Sequence, residues 1–301
     1  MHLALFYGSE EEYIQGVLRF AERAVQAHEP VAVAVPGPKT HLLEQGLRQI
    51  GAEPEIFDMV ELGRNPARII PAVETMLARH SGAMLHYIGE PIWAERTPEE
   101  IREATRHEAL INLAWPGADI RVLCPYDTRA LPTSVLEDAR RTHPHVISGG
   151  QIAPSALYQG PLVPLGSEHP LSPAPANAAV LPFGLEELTS LRALVGARAT
   201  MAGMSPQGVA DLVLAVNELA TNTIRHGGGR GVLRVWKTRS RLVCQIDDSG
   251  HIADPMAGRR VPRPDVAGGV GLWTVNQLCE LVEVRSTQAG TTIRVHASLD
   301  G

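Results

Sequence analysis

Three groups of residues in the second half of the chain could do chemistry together. Glu218 and Asn222 stand four apart, with Arg225 and His226 seven and eight residues beyond Glu218, so in a helix all four share a face. A carboxylate and an amide oxygen on one stripe, beside glycines 227–229, suit a hard divalent cation such as magnesium. Alone, such a pair is also the ordinary solvated face of a helix. Downstream, the apolar run RLVCQI ends in Asp247-Asp248-Ser249-Gly250, and a carboxylate at a strand end can accept a hydrogen bond from an adenine amino group. Gly268-Gly269-Val270-Gly271 then opens into a helix that continues from Leu272. Glycines there let phosphates reach backbone N–H groups and the positive end of the helix dipole. The order of the three features, more than any one of them, points to a nucleotide.

The first half offers a different set. His107, Glu108 and Asn112 fall at one end of a predicted helix, and His86 sits beside Tyr87 at the end of a neighbouring strand. With Glu90, Trp93, Tyr126 and Asp127 they form a candidate sensory pocket for a small-molecule ligand, since open α/β sheets bind ligands at their strand ends. The competing reading is that these side chains only close the sheet edge. Pro36-Gly37-Pro38-Lys39-Thr40 follows a strand and precedes a helix, but it lacks the upstream glycine of a phosphate loop. Lys39 is therefore expected on the surface of a β–α turn. His143-Pro-His145 is a metal-binding pair without further nearby ligands, which is too few for a site. No nucleophile–base–acid arrangement stands out, so no catalysis is expected from this half.

The elements that must position these residues follow two patterns. Over 1–158, short apolar strands (HLALFY, PVAVAV, GAMLHYIG, DIRVLCPYD) alternate with helices (EEEYIQGVLRFAERAVQA, HLLEQGLRQIG, ARIIPAVETMLARH, PEEIREATRHEALINLAW, TSVLEDARR). That alternation predicts an α/β domain in three layers around a mostly parallel sheet, RecA/Rossmann-like. Residues 159–178 hold five prolines and no periodicity, the composition of a linker. From 179 to 301 the order changes. A strand (AVLPFG) precedes two helices, the second opened by Ser205-Pro206 as N-cap and first residue. Val213, Leu214, Val216, Leu219 and Ala220 supply its expected apolar side. The strands GVLRVWKTR, RLVCQIDD and GTTIRVHAS then enclose a glycine-rich stretch and the helix GLWTVNQLCELV. Helices on one side of a mixed sheet make this half α+β. His226 is expected to cap the C-terminus of its helix.

Composition removes several classes. Twenty-seven basic against 33 acidic residues leave a net charge of −6, which argues against non-specific nucleic-acid binding. The charge is uneven: 14 basic and 21 acidic residues give −7 over 1–158, and 13 against 12 give +1 over 159–301. Lys39 and Lys237 are the only lysines, so Schiff-base and Walker-type chemistry have very few candidates. Cys124, Cys244 and Cys279 are too few and too scattered for a disulfide framework or a zinc cluster, and read as core thiols. The start lacks the basic flank and apolar stretch of a signal peptide, and no run approaches the ~18 apolar residues of a membrane span. A cytoplasmic protein without membrane contact is expected.

NELATNTIRHG, Asp248-Ser249-Gly250, Gly269-Val270-Gly271-Leu272 and GTTIRV resemble, in order, the N-box, two glycine boxes and closing strand of the GHKL (Bergerat-fold) ATP-binding family. Within that family the likeness is to the anti-sigma-factor serine kinases of the RsbW/SpoIIAB type, over about residues 179–299. The resemblance implies ATP and Mg as cofactors, with Glu218 as general base and Asn222 as magnesium ligand. It implies Asp248 on the adenine amino group and Thr291 supporting adenine through a water. Gly250, Gly269, Gly271 and Leu272 would line the nucleotide, and 251–268 would form a lid. The family dispenses with a Walker lysine. One departure is plain: the first glycine box runs Asp248-Ser-Gly250-His-Ile252, with isoleucine where a second glycine is usual. The implied function is anti-sigma-factor regulation, a serine/threonine protein kinase acting on a STAS-type anti-sigma-factor antagonist. A sigma factor would be its competing partner, and homodimers are expected. A non-catalytic module that sequesters a partner is the alternative. A sensor histidine kinase ranks lower, because residues 179–204 contain no histidine and His169 lies in the proline-rich segment. LALFYGSEEEY, PVAVAVP, GEPIW, RHEALINLAW and LCPYDT, over about 1–158, resemble the MEDS sensory domain, which implies control of the kinase half by a small metabolite.

Overall fold

The computed structural model describes residues 1–160, 171–262 and 269–299. Residues 161–170, half of the proline-rich segment, and residues 263–268 of the expected lid, Gly268 among them, lie outside the described residues. The chain divides into two compact units, Met1–Gly166 and Ser167–Gly301.

The first unit is built on seven strands: β1 (His2–Tyr7), β2 (Val31–Val35), β3 (Glu55–Asp58), β4 (Leu85–Gly89), β5 (Ile120–Asp127), β6 (His145–Ser148) and β7 (Gln151–Pro154). Their order in the sheet is β3-β2-β4-β5-β1-β6-β7, parallel throughout except for the final antiparallel pair. Alternation along the strands feeds two separate cores. Leu3, Leu5, Val31, Val33, Val35 and Ile88 pack under α1 (Glu10–Ala27) and α2 (Gly37–Gln49). Ala4, Phe6, Leu85, Tyr87, Val122 and Cys124 pack under α4 (Ile69–Arg79), α5 (Pro98–Ala114) and α6 (Thr133–Thr142), the short α3 (Met59–Leu62) preceding them. A sheet covered on both faces needs strands that are apolar at every position, which is why VAVAV reads as a continuous run.

Three short strands are absent from the sequence-based expectation. β3, β6 and β7 are four residues long, and every residue of β7 is exposed, so neither length nor alternation marks them. The β6–β7 turn did carry a signal. Gly149 and Gly150 both have positive φ, 57° and 78°, which a two-residue type I′ hairpin requires.

The second unit has the sheet order β11-β12-β10-β9-β8, from β8 (Ala179–Phe183), β9 (Gly231–Lys237), β10 (Arg241–Asp248), β11 (Leu281–Thr287) and β12 (Gly290–Ser298). Every pair is antiparallel, so the mixed sheet expected from sequence is corrected. Helices α7 (Leu188–Ala202), α8 (Pro206–His226) and α9 (Val270–Leu278) share one apolar core with one face of this sheet. The other face is polar: Arg234 pairs with Asp247, Arg294 with Gln245, and His296 with Glu283. The expected helix over 271–282 ends at Leu278, and Leu281 and Val282 instead begin β11. The run is apolar enough for either element, and pairing with β12 decides it. Among the described residues no helix is long and apolar enough to cross a membrane.

Local rules hold at the helix starts. At α5, the Thr97 side chain accepts from Glu100 N–H while the Glu100 carboxylate accepts from Thr97 N–H, a reciprocal capping box. Thr97→Ala is expected to cost the first unit ~1 kcal/mol, read as a lower denaturant midpoint with an unchanged slope.

Candidate nucleotide site and a buried polar first unit

Helix α8 starts at Ser205, whose hydroxyl accepts from Gly208 N–H. It buries Leu212, Ala215, Val216, Leu219, Ala220 and Thr223, a stripe repeating at three and four residues. Leu214, expected on the apolar side, is 45% exposed because it falls opposite that stripe. Glu218 and Asn222 lie at the stripe's edge, half-buried. Among the described residues neither side chain has a hydrogen-bond partner.

The strand-end carboxylate is held firmly. Asp248 pairs across the sheet with Thr291 on β12 and Gly231 on β9. Its Oδ2 accepts from the Thr223 hydroxyl at 2.7 Å and its Oδ1 from Gly250 N–H at 2.9 Å. Three glycines make room for it. A Cβ at Gly227 would stand 2.4 Å from Asp248 Oδ2, one at Gly290 2.5 Å from the Asp248 carbonyl oxygen, and one at Gly250 2.7 Å from the His226 carbonyl oxygen. Thr291 Oγ1 donates to the Gly250 carbonyl at 2.8 Å and contacts Ser286 Oγ at 2.7 Å. Sequence reasoning missed Thr223, although it lies inside the NELATNTIRHG stretch beside Asn222, because only Glu218 and Asn222 were singled out there, and it missed Ser286, which lies in no motif.

The second glycine group meets the same helix. Gly269, the N-cap of α9, has φ 82° and open space where a side chain would stand. A Cβ at Gly271 would stand 3.0 Å from Glu218 Oε2 and 3.3 Å from Asn222 Nδ2. The start of α9 thus lies directly against the Glu–Asn pair, with no side chain between. Leu272 packs beside Gly258, whose carbonyl accepts from Asn276 Nδ2 at 2.9 Å. Ile252, in place of the second glycine, packs on the core, and its N–H donates to Ser286 Oγ at 2.8 Å.

In the first unit, the residues of the candidate sensory pocket fall in several places. Glu90 and Asp127 belong to the C-terminal edge of the sheet. There β1 leads into α1 on one face and β5 into α6 on the other, which opens a crevice between the strands. A cavity of about 360 Å³ is lined there by Tyr7, Ser9, Tyr13, Lys39, Asp127 and Arg129, among others. Glu90 is buried beneath it, accepting from the hydroxyls of Tyr7 and Tyr13 at 3.3 and 3.4 Å and pairing with Lys39. Lys39 also lies 5.3 and 5.1 Å from the Tyr7 and Tyr13 ring centres. It is therefore a partner of a buried acid and not the surface residue expected from sequence.

Glu108 and Asn112 on α5 belong to another group, beside His2, Cys124 and His143, with the Tyr126 ring edge-on to His143 at 5.6 Å. His86 is buried against Phe20 and bonded to Glu29 at 2.7 Å. Trp93 carries the Arg96 guanidinium at 4.0 Å over its ring, and His107 is buried on α5.

An antiparallel sheet backed by helices, with a helical Glu–Asn pair, a strand-end Asp and a glycine-led helix start converging on one place, has the parts of a histidine kinase-like ATPase domain. Residues 181–297 match the family model of that name. Residues 1–144 match the model of the MEDS domain, described as the methanogen/methylotroph, DcmR sensory domain. The chain thus carries a MEDS sensory domain followed by a histidine kinase-like ATPase domain. No curated protein matches the chain significantly. Among solved structures, the RsbU and RsbW domains of Rv1364c from Mycobacterium tuberculosis align at 16% identity and TM-score 0.32, over 42% of this chain and 33% of that one. The match thus spans a third of that structure's length. The histidine kinase AdeS of Acinetobacter baumannii aligns at 12% identity and TM-score 0.26, over 41% of this chain and 68% of that one.

Burial raises the Glu90 pKa to about 7, against the opposing pull of Lys39 and the two tyrosine hydroxyls. The folded state then holds a proton that the unfolded state releases near the ordinary carboxylate value. Stability contributed by Glu90 is full below about pH 4 and is lost as pH rises to about 7. The stability difference between wild type and Glu90→Gln, followed by denaturant unfolding from pH 5 to 8, should shift against wild type through that window and level off above it. A flat difference would remove Glu90 as the titrating group.

Proposed function

We propose that the second unit binds ATP with magnesium and transfers the terminal phosphoryl group to a serine or threonine hydroxyl on a protein partner, under the control of the first. The observation that carries this reading is the seating of Gly271 against Glu218 and Asn222. A helix start with no side chain between it and a carboxylate–amide pair fits a polyphosphate with its cation. Asn222 would hold magnesium, and the amides near Gly269 and Gly271 the phosphates, with Leu272 alongside. Asp248 keeps lone pairs beyond those used by Thr223 and Gly250, enough to accept from an adenine amino group, with Thr291 supporting the base. ATP·Mg supplies the phosphoryl group and neutralises its charge. The chain contributes positioning, and Glu218 takes the proton of the attacking hydroxyl.

The resemblance to anti-sigma-factor kinases supports a STAS-type antagonist as the phosphorylated partner and a sigma factor as its competitor, with homodimers as the working form, in the cytoplasm. The first unit is then a RecA/Rossmann-like sensory domain that takes a small molecule at the crevice over Glu90. A second reading has one observation in its favour. Ile252 anchors the start of the expected lid to the core, which suits a module that keeps ATP as a structural ligand and sequesters its partner.

Calorimetry with ATP, with and without magnesium, and labelled-phosphate transfer to candidate antagonists separate the two. Glu218→Ala should keep ATP affinity and lose transfer by about 10²–10⁴-fold. Asp248→Asn should weaken ATP by at least about tenfold, the loss of a charge-assisted hydrogen bond. Full transfer by Glu218→Ala would overturn its role as base, and tight ATP binding with no transfer to any antagonist would select sequestration.

A further inference from the structure

His2 at the start of β1, Glu108 on α5, Cys124 on β5 and His143 just after α6 meet in the first unit, between the sheet and these helices. All four are buried, and one potential ligand atom from each lies within 4.8 Å of the others. Glu108 Oε2 is 3.1 Å from both His2 Nε2 and His143 Nε2, and Cys124 Sγ is 3.5 Å from His2 Nε2.

The neighbouring hydrogen bonds fix which ring nitrogens carry protons. His143 Nδ1 lies 2.7 Å from the Ala139 carbonyl, which can only accept, so Nδ1 donates. Asn112 donates through Nδ2 to the carbonyls of Thr142 and Ala109, which turns its Oδ1 toward His2 Nδ1 at 3.2 Å. His2 Nδ1 therefore donates too. In both neutral rings the Nε2 lone pair then faces the Glu108 carboxylate, acceptor against acceptor. Charging both rings instead would put two cations 3.9 Å apart in a site closed to water. Neither His143 Nε2 nor Glu108 Oε1 has a hydrogen-bond partner. A proton shared between two of these atoms satisfies one pair; a metal cation at their centre satisfies all four.

We propose that His2, Glu108, Cys124 and His143 form a four-coordinate site for a divalent transition-metal ion of the zinc type. The ligand set is two imidazole nitrogens, a thiolate and a carboxylate, each within zinc's usual range of donors. Zinc bond lengths at a tetrahedral centre imply ligand–ligand edges of roughly 3.3 Å for N–O and roughly 3.6 Å for N–S. The 3.1 and 3.5 Å separations are close to those edges. Asn112 Oδ1 and the Ala139 carbonyl occupy the outer positions that orient metal-bound histidines. With four protein ligands the site is closed, so the ion ties β1, α5, β5 and the α6–β6 junction together and leaves no position for a substrate.

Metal analysis of the untagged full-length chain should find one equivalent of zinc, or the chelator-treated chain should take up one equivalent of Zn²⁺ or Co²⁺. The cobalt form should show a near-ultraviolet thiolate-to-cobalt band that Cys124→Ser abolishes. Asn112→Ala should weaken metal binding about 10–100-fold, while His145→Gln, two residues from a ligand but outside the cluster, should bind as wild type. Zinc should raise the unfolding temperature of wild type and not that of His143→Gln. A wild-type chain that neither retains nor takes up either ion overturns the proposal, and this result needs no variant to fold. So does cobalt uptake whose thiolate band survives in Cys124→Ser, or uptake with no such band in wild type.

Discussion

The second unit depends on the space made for one carboxylate. Asp248 stands where the end of α8, the turn after β10 and the turn before β12 crowd together, and glycine at 227, 250 and 290 is what lets those backbones come so close. Thr223 and the Gly250 amide then fix the carboxylate from two directions. Because Thr223 is on α8, the same bond locks the helix to the sheet and sets where Glu218 and Asn222 stand, five residues and one residue earlier on that helix. Gly271 brings the start of α9 against that pair. The candidate site is thus a set of backbone approaches with few side chains, in which the Glu218 carboxylate and Asn222 amide have no hydrogen-bond partner among the described residues.

The first unit handles polar groups in the opposite way, by burying them in pairs. Glu90 is shielded from water by two tyrosines and a lysine beneath the crevice at the C-terminal edge of the sheet. Glu108 is enclosed by two histidines and a cysteine under α5 and α6. A buried carboxylate is costly unless its surroundings supply a proton, a counter-charge or a cation. Glu90 has Lys39 beside it and a raised pKa. Glu108 has two rings whose donors are already committed elsewhere, which makes the two acids chemically unlike although both lie under one sheet.

Much of this was legible in the chain itself. The alternation of VAVAV-type strands with amphipathic helices foretold the mostly parallel sheet, and the order of Glu218, Asn222, Asp248, Gly269 and Gly271 along the chain marked them as candidates for one site. Short edge strands did not, because four exposed residues such as Gln151–Pro154 carry no periodicity. Nor did β11, whose Leu281 and Val282 continue a helical pattern until β12 claims them. Lys39 looked like a surface residue because its partner Glu90 is 51 residues away in sequence.

The sequence by itself determined the longer helices and the buried strands and where the motif residues fall within them, since helix period, strand run and glycine position are local properties. Only the tertiary structure decided which side chains meet. His143 has only His145 near it along the chain. Folded, it faces His2 and Glu108, and His2 stands 106 residues from Glu108 in sequence. Cys124 reads as a core thiol until β5 sets it beside β1. Contacts of that range come from strand order and helix packing, and no spacing along the chain encodes them.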